Sequence, residues 1–178
     1  MKRENYLDYD TVFMGIAQLI SFRSKDPETR HGAIIVDQDN KVISLGYNGF
    51  PRGVSDDIFP WTRPEKYQYV LHAERNAIDN STKSDLKNCK LYLWSEKGYL
   101  PCSQCAAGII QKGISEVIIA FEIKQDTKEY KWDPTKKMFK AAGVKIRILD
   151  MPITSLNKII NEFKNIEKIL TGSPIWKH

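Results

Sequence analysis

The sequence predicts an α/β protein in which helices cover a mixed five-stranded sheet, and three observations carry that prediction. Short β-branched runs recur along the chain. Most are separated by stretches whose apolar residues return every three or four positions, the period of one helix face. The first two runs instead follow each other across a short polar turn, which predicts an antiparallel hairpin at one side of the sheet.

The first helix is expected within "DYDTVFMGIAQLISFRSKD", where Val12, Phe13, Ile16, Leu19 and Ile20 share a face. Asp8 or Asp10 caps its start, and Asp26-Pro27 ends it. Ile34 to Val36 and Val42 to Tyr47 are the hairpin strands, joined by "DQDN". The following stretch, "FPRGVSDDIFPWTRPEKY", contains Pro51, Pro60 and Pro64 and keeps neither period. Loops of that length in a compact domain are usually functional. "QYVLHAERNAIDN" then predicts a short helix with His72 near its start. "KLYLW" is a strand, and "CSQCAAGIIQKG" a helix stopped at Gly113. "EVIIAF" is a strand, and "PTKKMFKAAG" a helix with Pro134 in its first turn and Gly143 past its end. "VKIRIL" is the fifth strand. In the tail, Leu156, Ile159, Ile160, Phe163, Ile166, Ile169 and Leu170 fall on one helical face. Residues 1–178 are therefore read as a single domain, with 151–178 a helical extension packed on it or on another subunit.

Composition narrows the function. A chain of 178 residues, 42% hydrophobic and 28% charged, fits one globular domain with a real core rather than a disordered segment. No apolar run approaches the roughly 20 residues of a membrane span, so no membrane role is expected. "MKRENYLDYD" lacks the apolar segment of a secretory signal, and a cytoplasmic location is expected. Three cysteines, two of them close together, suit a metal or redox pair in a reducing compartment. Cys89 is read as a buried thiol without chemical work. The net charge is +5, but the lysines are scattered rather than striped, so a nucleic-acid partner is not expected.

Two short segments carry the chemistry. "VLHAERNAI" sets His72 two residues before Glu74, and "LPCSQCAAGII" sets Cys102 three residues before Cys105. The cysteines at a helix start can both reach one ion, and the helix N-terminus favours their thiolates. Zinc takes thiolate and imidazole ligands in a tetrahedron; with His72 as the third ligand, one position stays open for water, the catalytic arrangement. Glu74, about 200° round a helix from His72, is not expected as a ligand and is assigned the proton shuttle. The competing readings are a redox cysteine pair and a structural zinc completed by a fourth ligand.

The His-x-Glu followed by Pro-Cys-x-x-Cys resembles the signature of zinc nucleobase deaminases. "HAERNAI" and "PCSQCAAGIIQKGI" are similar to the cytidine deaminase superfamily. "RSKDPETRHGAIIVDQDNKVISLGYNGFPRGVSDDIFPW" and "KYQYVLHAERNAI" resemble its deoxycytidylate (dCMP) deaminase branch, over roughly residues 8 to 149. The resemblance implies a three-layer α/β/α sandwich around a mixed five-stranded sheet. It also implies conversion of dCMP to dUMP with ammonia released, through zinc-bound hydroxide and a glutamate shuttle. His72, Cys102 and Cys105 match the ligands of one zinc per subunit, and Glu74 matches the shuttle. Asn48, otherwise a turn residue, matches an asparagine touching sugar and base; the amides of Ala73 and Cys102 match groups around the pyrimidine. A homo-oligomer is implied, with dCTP and dTTP as effectors acting at the loop from Gly46 to Trp61, and magnesium accompanying such a nucleotide.

Departures from the branch matter as well. "LWSEKGYL" is longer than usual and leads into the site, so it could reshape base or phosphate recognition. It keeps open the alternative of the same chemistry on another cytosine or guanine base, nucleoside or nucleic acid. A catalytically silent zinc scaffold is the third reading. Val54 replaces a frequent cysteine, and no second zinc is expected. Lys97 is read as a solvated charge and His31 as structural or surface-exposed. Arg75 is open between a phosphate contact and the surface, and Trp132 is read as a loop anchor.

Overall fold

A computed structural model describes residues 2, 4, 6–120 and 132–149 of the chain. The elements follow in the order α1 (Tyr9–Ser21), β1 (His31–Val36), β2 (Val42–Tyr47), a 3-10 turn (Glu65–Gln68), α2 (Ala73–Asp79), β3 (Lys90–Ser95), α3 (Ser103–Gln111), β4 (Glu116–Ile119), α4 (Asp133–Ala142) and β5 (Lys145–Ile148). The five strands form one sheet in the order β2-β1-β3-β4-β5. β1 pairs antiparallel with β2 and β3, while β3–β4 and β4–β5 are parallel.

Strand alternation explains the layers. In β1, Ala33 and Ile35 face one side with Leu91, Leu93, Val117 and Ile119, against α2, α3 and α4. Ile34 and Val36 face the other with Tyr92, Trp94 and Ile118, beneath Phe13, Met14 and Ala17 of α1. Both faces of the central strands are apolar, so they read as continuous runs rather than half-polar ones. Among the described residues, one helix covers one face and three cover the other, which is the expected α/β/α sandwich.

The caps fall where the chain provides them. Asp8 accepts from the amide of Thr11 at 2.9 Å, capping α1. Gly143 takes the left-handed conformation, φ 71°, that closes α4. Asp10 receives the Tyr92 hydroxyl at 2.6 Å and the Arg147 guanidinium, joining α1 to β3 and β5. The Arg147 hydrogen bond holds the Asp10 carboxyl below its ordinary value.

Two boundaries differ from the sequence reading. α1 ends at Ser21, not at Asp26-Pro27, because residues 22–30 turn back toward β1. The helix expected across "QYVLHAERNAIDN" begins only at Ala73; Tyr69 to His72 run non-helically, and Leu71 bridges Gly49. The predicted C-terminal helix, and with it the 151–178 extension, lies outside the described residues. Among those residues, no helix is long and apolar enough to cross a membrane.

Candidate active site

The C-terminal ends of β2 and β3, the start of β1 and the starts of α2 and α3 meet at one edge of the sheet, the usual place for a site in such folds. His72 is the residue just before α2, in extended conformation, φ −74° and ψ 154°. Cys102 holds the same position before α3, φ −66° and ψ 167°. Their carbonyls accept from Asn76 and Ala106 at 2.9 and 2.8 Å, the first bonds of each helix. The angle argument for Glu74 therefore needs correcting, since His72 lies outside the helix. Its conclusion stands on a different ground given below.

Cys102 Sγ lies 3.3 Å and Cys105 Sγ 3.5 Å from His72 Nδ1. The three donor atoms all lie within 4.8 Å of one another. Zinc bonds of about 2.3 Å to sulfur and 2.0–2.1 Å to nitrogen, at a tetrahedral angle, place S and N about 3.6 Å apart. The donor set thus fits zinc in spacing and in chemistry. Both cysteines are free thiols, not joined to each other. The Glu74 carboxylate is not a member of that mutually close group, although it lines the same cavity and is 5% exposed.

The electrostatics of the cluster are those of a thiolate beside an imidazolium. The hydrogen bond with Cys102 raises His72 to about 9, against the opposing pull of burial. Hydrogen bonds from Cys105 and then His72 hold the Cys102 thiol down at about 4, while its bond to Cys102 and its burial push Cys105 up. A soft cation taking these donors displaces the shared protons. Burial pushes the Glu74 carboxyl up to about 7, the range in which a group both takes and returns a proton near neutrality.

The amides of Ala73 and Cys102 make no hydrogen bond within the described residues, as expected of groups at helix starts. Asn48 also lines the cavity and is 3% exposed. Every sequence-predicted site residue is therefore at this edge of the sheet.

α2 is held on the hairpin by close contact. Asn76 Nδ2 donates to Tyr47 O at 2.8 Å, and Ser44 Oγ to Ala77 O at 2.7 Å. A Cβ on Gly46 would stand 2.3 Å from Ala77 N and 2.6 Å from Ala73 O, both backbone atoms. Gly46→Ala is therefore expected to destabilise the fold by about 1–3 kcal/mol in denaturant unfolding, by lifting α2 from β2.

The cavity wall also includes residues that the sequence read otherwise or did not single out. His31, read as structural or surface, lines the cavity; burial and the nearby His72 hold its imidazole at about 4, so it is neutral. Its ring stacks 6.0 Å from Tyr99, which meets Trp132 at 5.4 Å. Trp132 is 2% exposed and lines the cavity as well. Tyr99 and Leu100 belong to the lengthened "LWSEKGYL" segment, so it does shape the pocket. Glu96 pins it to Arg30, and Ser95 Oγ accepts from the amides of Lys97 and Tyr99 at 3.3 Å each. Lys66, absent from the sequence reading, is buried in the cavity wall. Arg75 pairs with Asp79 at 2.7 Å on the exposed face of α2. Cys89 is buried, and burial raises its thiol.

A triad of soft-metal donors at two helix starts, with a buried carboxylate in the same cavity, defines a metal-dependent hydrolase. Residues 8–121 match the family described as the cytidine and deoxycytidylate deaminase zinc-binding region. The deoxycytidylate deaminase of Mus musculus is 41% identical over 97% of this chain and 96% of its own length. That of Homo sapiens is 41% identical over 93% of this chain and 91% of its own. Among solved structures, the dCMP deaminase of cyanophage S-TIM5 with dCMP and dUMP shares the fold, with TM-score 0.64 and 23% identity, covering 81% of this chain and all of that one. The chain belongs to the cytidine and deoxycytidylate deaminase family. It is an enzyme, a zinc-dependent deaminase.

Proposed function

We propose that the chain hydrolyses dCMP to dUMP and ammonia, with zinc held by His72, Cys102 and Cys105. The observation that carries this is the convergence of those three donors and the buried Glu74 on one cavity. Zinc bound there supplies the Lewis acidity that brings a water to ionisation near neutral pH. Glu74 takes the proton of the attacking water, gives one to N3, and gives the next to the amine leaving C4. The overall balance is dCMP plus water to dUMP plus ammonia. The free amides of Ala73 and Cys102 donate to the pyrimidine. Asn48 presents its carbonyl to a sugar hydroxyl, and neutral His31 with Tyr99 forms a further wall of the pocket.

The curated relatives that match most of the chain support a monophosphate substrate. Homo-oligomerisation, dCTP and dTTP as effectors, and magnesium with such a nucleotide rest on the resemblance, and a cytoplasmic location on cysteine usage that suits a reducing compartment. Within the loop from Gly46 to Trp61, Phe50 stacks 4.2 Å from Trp61, and Phe59 stacks 4.1 Å from Tyr69 beyond it.

Ammonia release from dCMP, CMP, deoxycytidine, cytosine and guanine, each with and without dCTP, tests the substrate. The highest kcat/KM is expected for dCMP, by about 10²-fold or more over deoxycytidine. A preference for guanine or free cytosine would overturn it, and would assign the reshaping of the pocket to the lengthened segment carrying Tyr99.

A further inference from the structure

The carboxamide of Asn48 has nearly all of its hydrogen-bonding capacity engaged inside the protein. Oδ1 accepts from the His31 amide at 2.8 Å. Nδ2 donates to Thr29 O at 3.0 Å and to Asp26 Oδ2 at 3.4 Å. These partners fix which end is oxygen and leave only a lone pair of Oδ1 for the cavity. Any group meeting Asn48 there has to be a donor.

Asp26 is held in turn. Its two oxygens accept from Lys66 Nζ at 2.8 and 2.9 Å, and Oδ1 also accepts from the amides of Glu28 at 2.9 Å and Thr29 at 3.2 Å. Lys66 is 2% exposed and Asp26 6%. Lysine is almost never fully buried, and an apolar pair would hold the chain without desolvating two charges. What an apolar pair cannot do is fix a dipole in one direction.

Lys66 also anchors backbone. Its carbonyl accepts from the amides of Tyr69 and Val70, at 3.0 Å each, starting the run in which Leu71 and Gly49 exchange bonds of 2.8 and 3.1 Å before His72. The ion pair therefore closes three segments on one another: the entry to β1, the exit of β2 beyond Asn48, and the approach to His72.

We infer that the Lys66–Asp26 ion pair is a positioning device for substrate binding, orienting the Asn48 carboxamide so that the cavity meets its acceptor. This rests on the reading of Asn48 as a substrate contact. Neither Lys66 nor Asp26 is a catalytic residue in this account; both act through Asn48.

The test uses the full chain loaded with zinc, with dCMP as substrate. Asp26→Asn combined with Lys66→Met removes both charges and keeps an oxygen for the amides of Glu28 and Thr29. Wild-type zinc content is expected, with kcat within about threefold and KM raised about tenfold. Asn48→Ala should raise KM by a similar factor, and joining all three substitutions should add nothing further, because the pair works through Asn48. Lys66→Arg retains the charge and should keep KM within about threefold. Unchanged KM in a folded, zinc-loaded Asp26→Asn/Lys66→Met protein, or full additivity with Asn48→Ala, would overturn the proposal while leaving Asn48 as a contact. Unchanged KM in Asn48→Ala would overturn the Asn48 reading and this proposal with it. Should the charge-free pair fail to fold, Asp26→Asn alone decides, because it breaks the ion pair at its acceptor: KM within about threefold of the unaltered protein, with zinc and fold intact, would sink the positioning role.

Discussion

Glu74→Gln is expected to bind zinc at the level of the unaltered protein and to lose turnover by about 10²–10⁴-fold, the usual contribution of a positioned general acid–base. The two halves of that expectation come from separate observations. Zinc content should hold because the Glu74 carboxylate lies outside the close group formed by His72, Cys102 and Cys105. Turnover should fall because glutamine can neither accept the proton of the attacking water nor return one to the leaving amine. The fold should hold as well, since glutamine matches the volume of a side chain that is only 5% exposed and removes a carboxyl whose charged form burial disfavours. Elemental analysis beside steady-state kcat measures both quantities on one sample. A zinc-loaded Glu74→Gln protein with near-normal kcat would remove Glu74 from the chemistry.

The catalytic cluster was legible in the sequence because each of its parts is local. One residue separates His72 from Glu74 and two separate Cys102 from Cys105, so each pair is set by its own helix start without knowledge of the rest of the fold. The hairpin and the parallel strands were legible for a similar reason, since β-branched runs and Gly143 act over a few positions. The cavity wall was less so. Lys66 and Asp26 are 40 residues apart, and neither sits in a periodic segment. A lysine in a proline-rich loop reads as a solvated charge until the fold shows it nearly unexposed. His31 was obscured differently. It opens a strand, where a single polar residue looks like an edge, and only the register that sets it opposite Ser95 carries it to the cavity wall.

The start of α2 teaches a related lesson. The apolar spacing of "QYVLHAERNAI" fits a helix from its first residue, yet only Ala73 onward is helical. The bridge between Leu71 and Gly49 prevails over local propensity, because it ties the chain to the end of β2. The extended conformation at His72 is a consequence, and it turns the imidazole toward the sulfurs rather than along a helix face.

Cys102→Ser should lose zinc and activity together, with the metal below about a tenth of the stoichiometric amount after dialysis. The argument is one of donor chemistry. The Cys102 thiol is held near 4 by its hydrogen bonds, so at neutral pH it already offers the soft anionic donor that zinc selects. A serine hydroxyl stays protonated at the same pH and is a hard, neutral donor, so one of three protein bonds is lost. Zinc bound only to the folded protein also stabilises it, which predicts a lower melting temperature for this variant than for Glu74→Gln. Cys89→Ser is the control, since Cys89 is buried elsewhere in the core and takes no part in the donor group; any loss of stability there should leave zinc content intact. Full zinc occupancy in Cys102→Ser would mean that the metal is held by other residues. Glu74 and the cavity around it would then need a different chemistry.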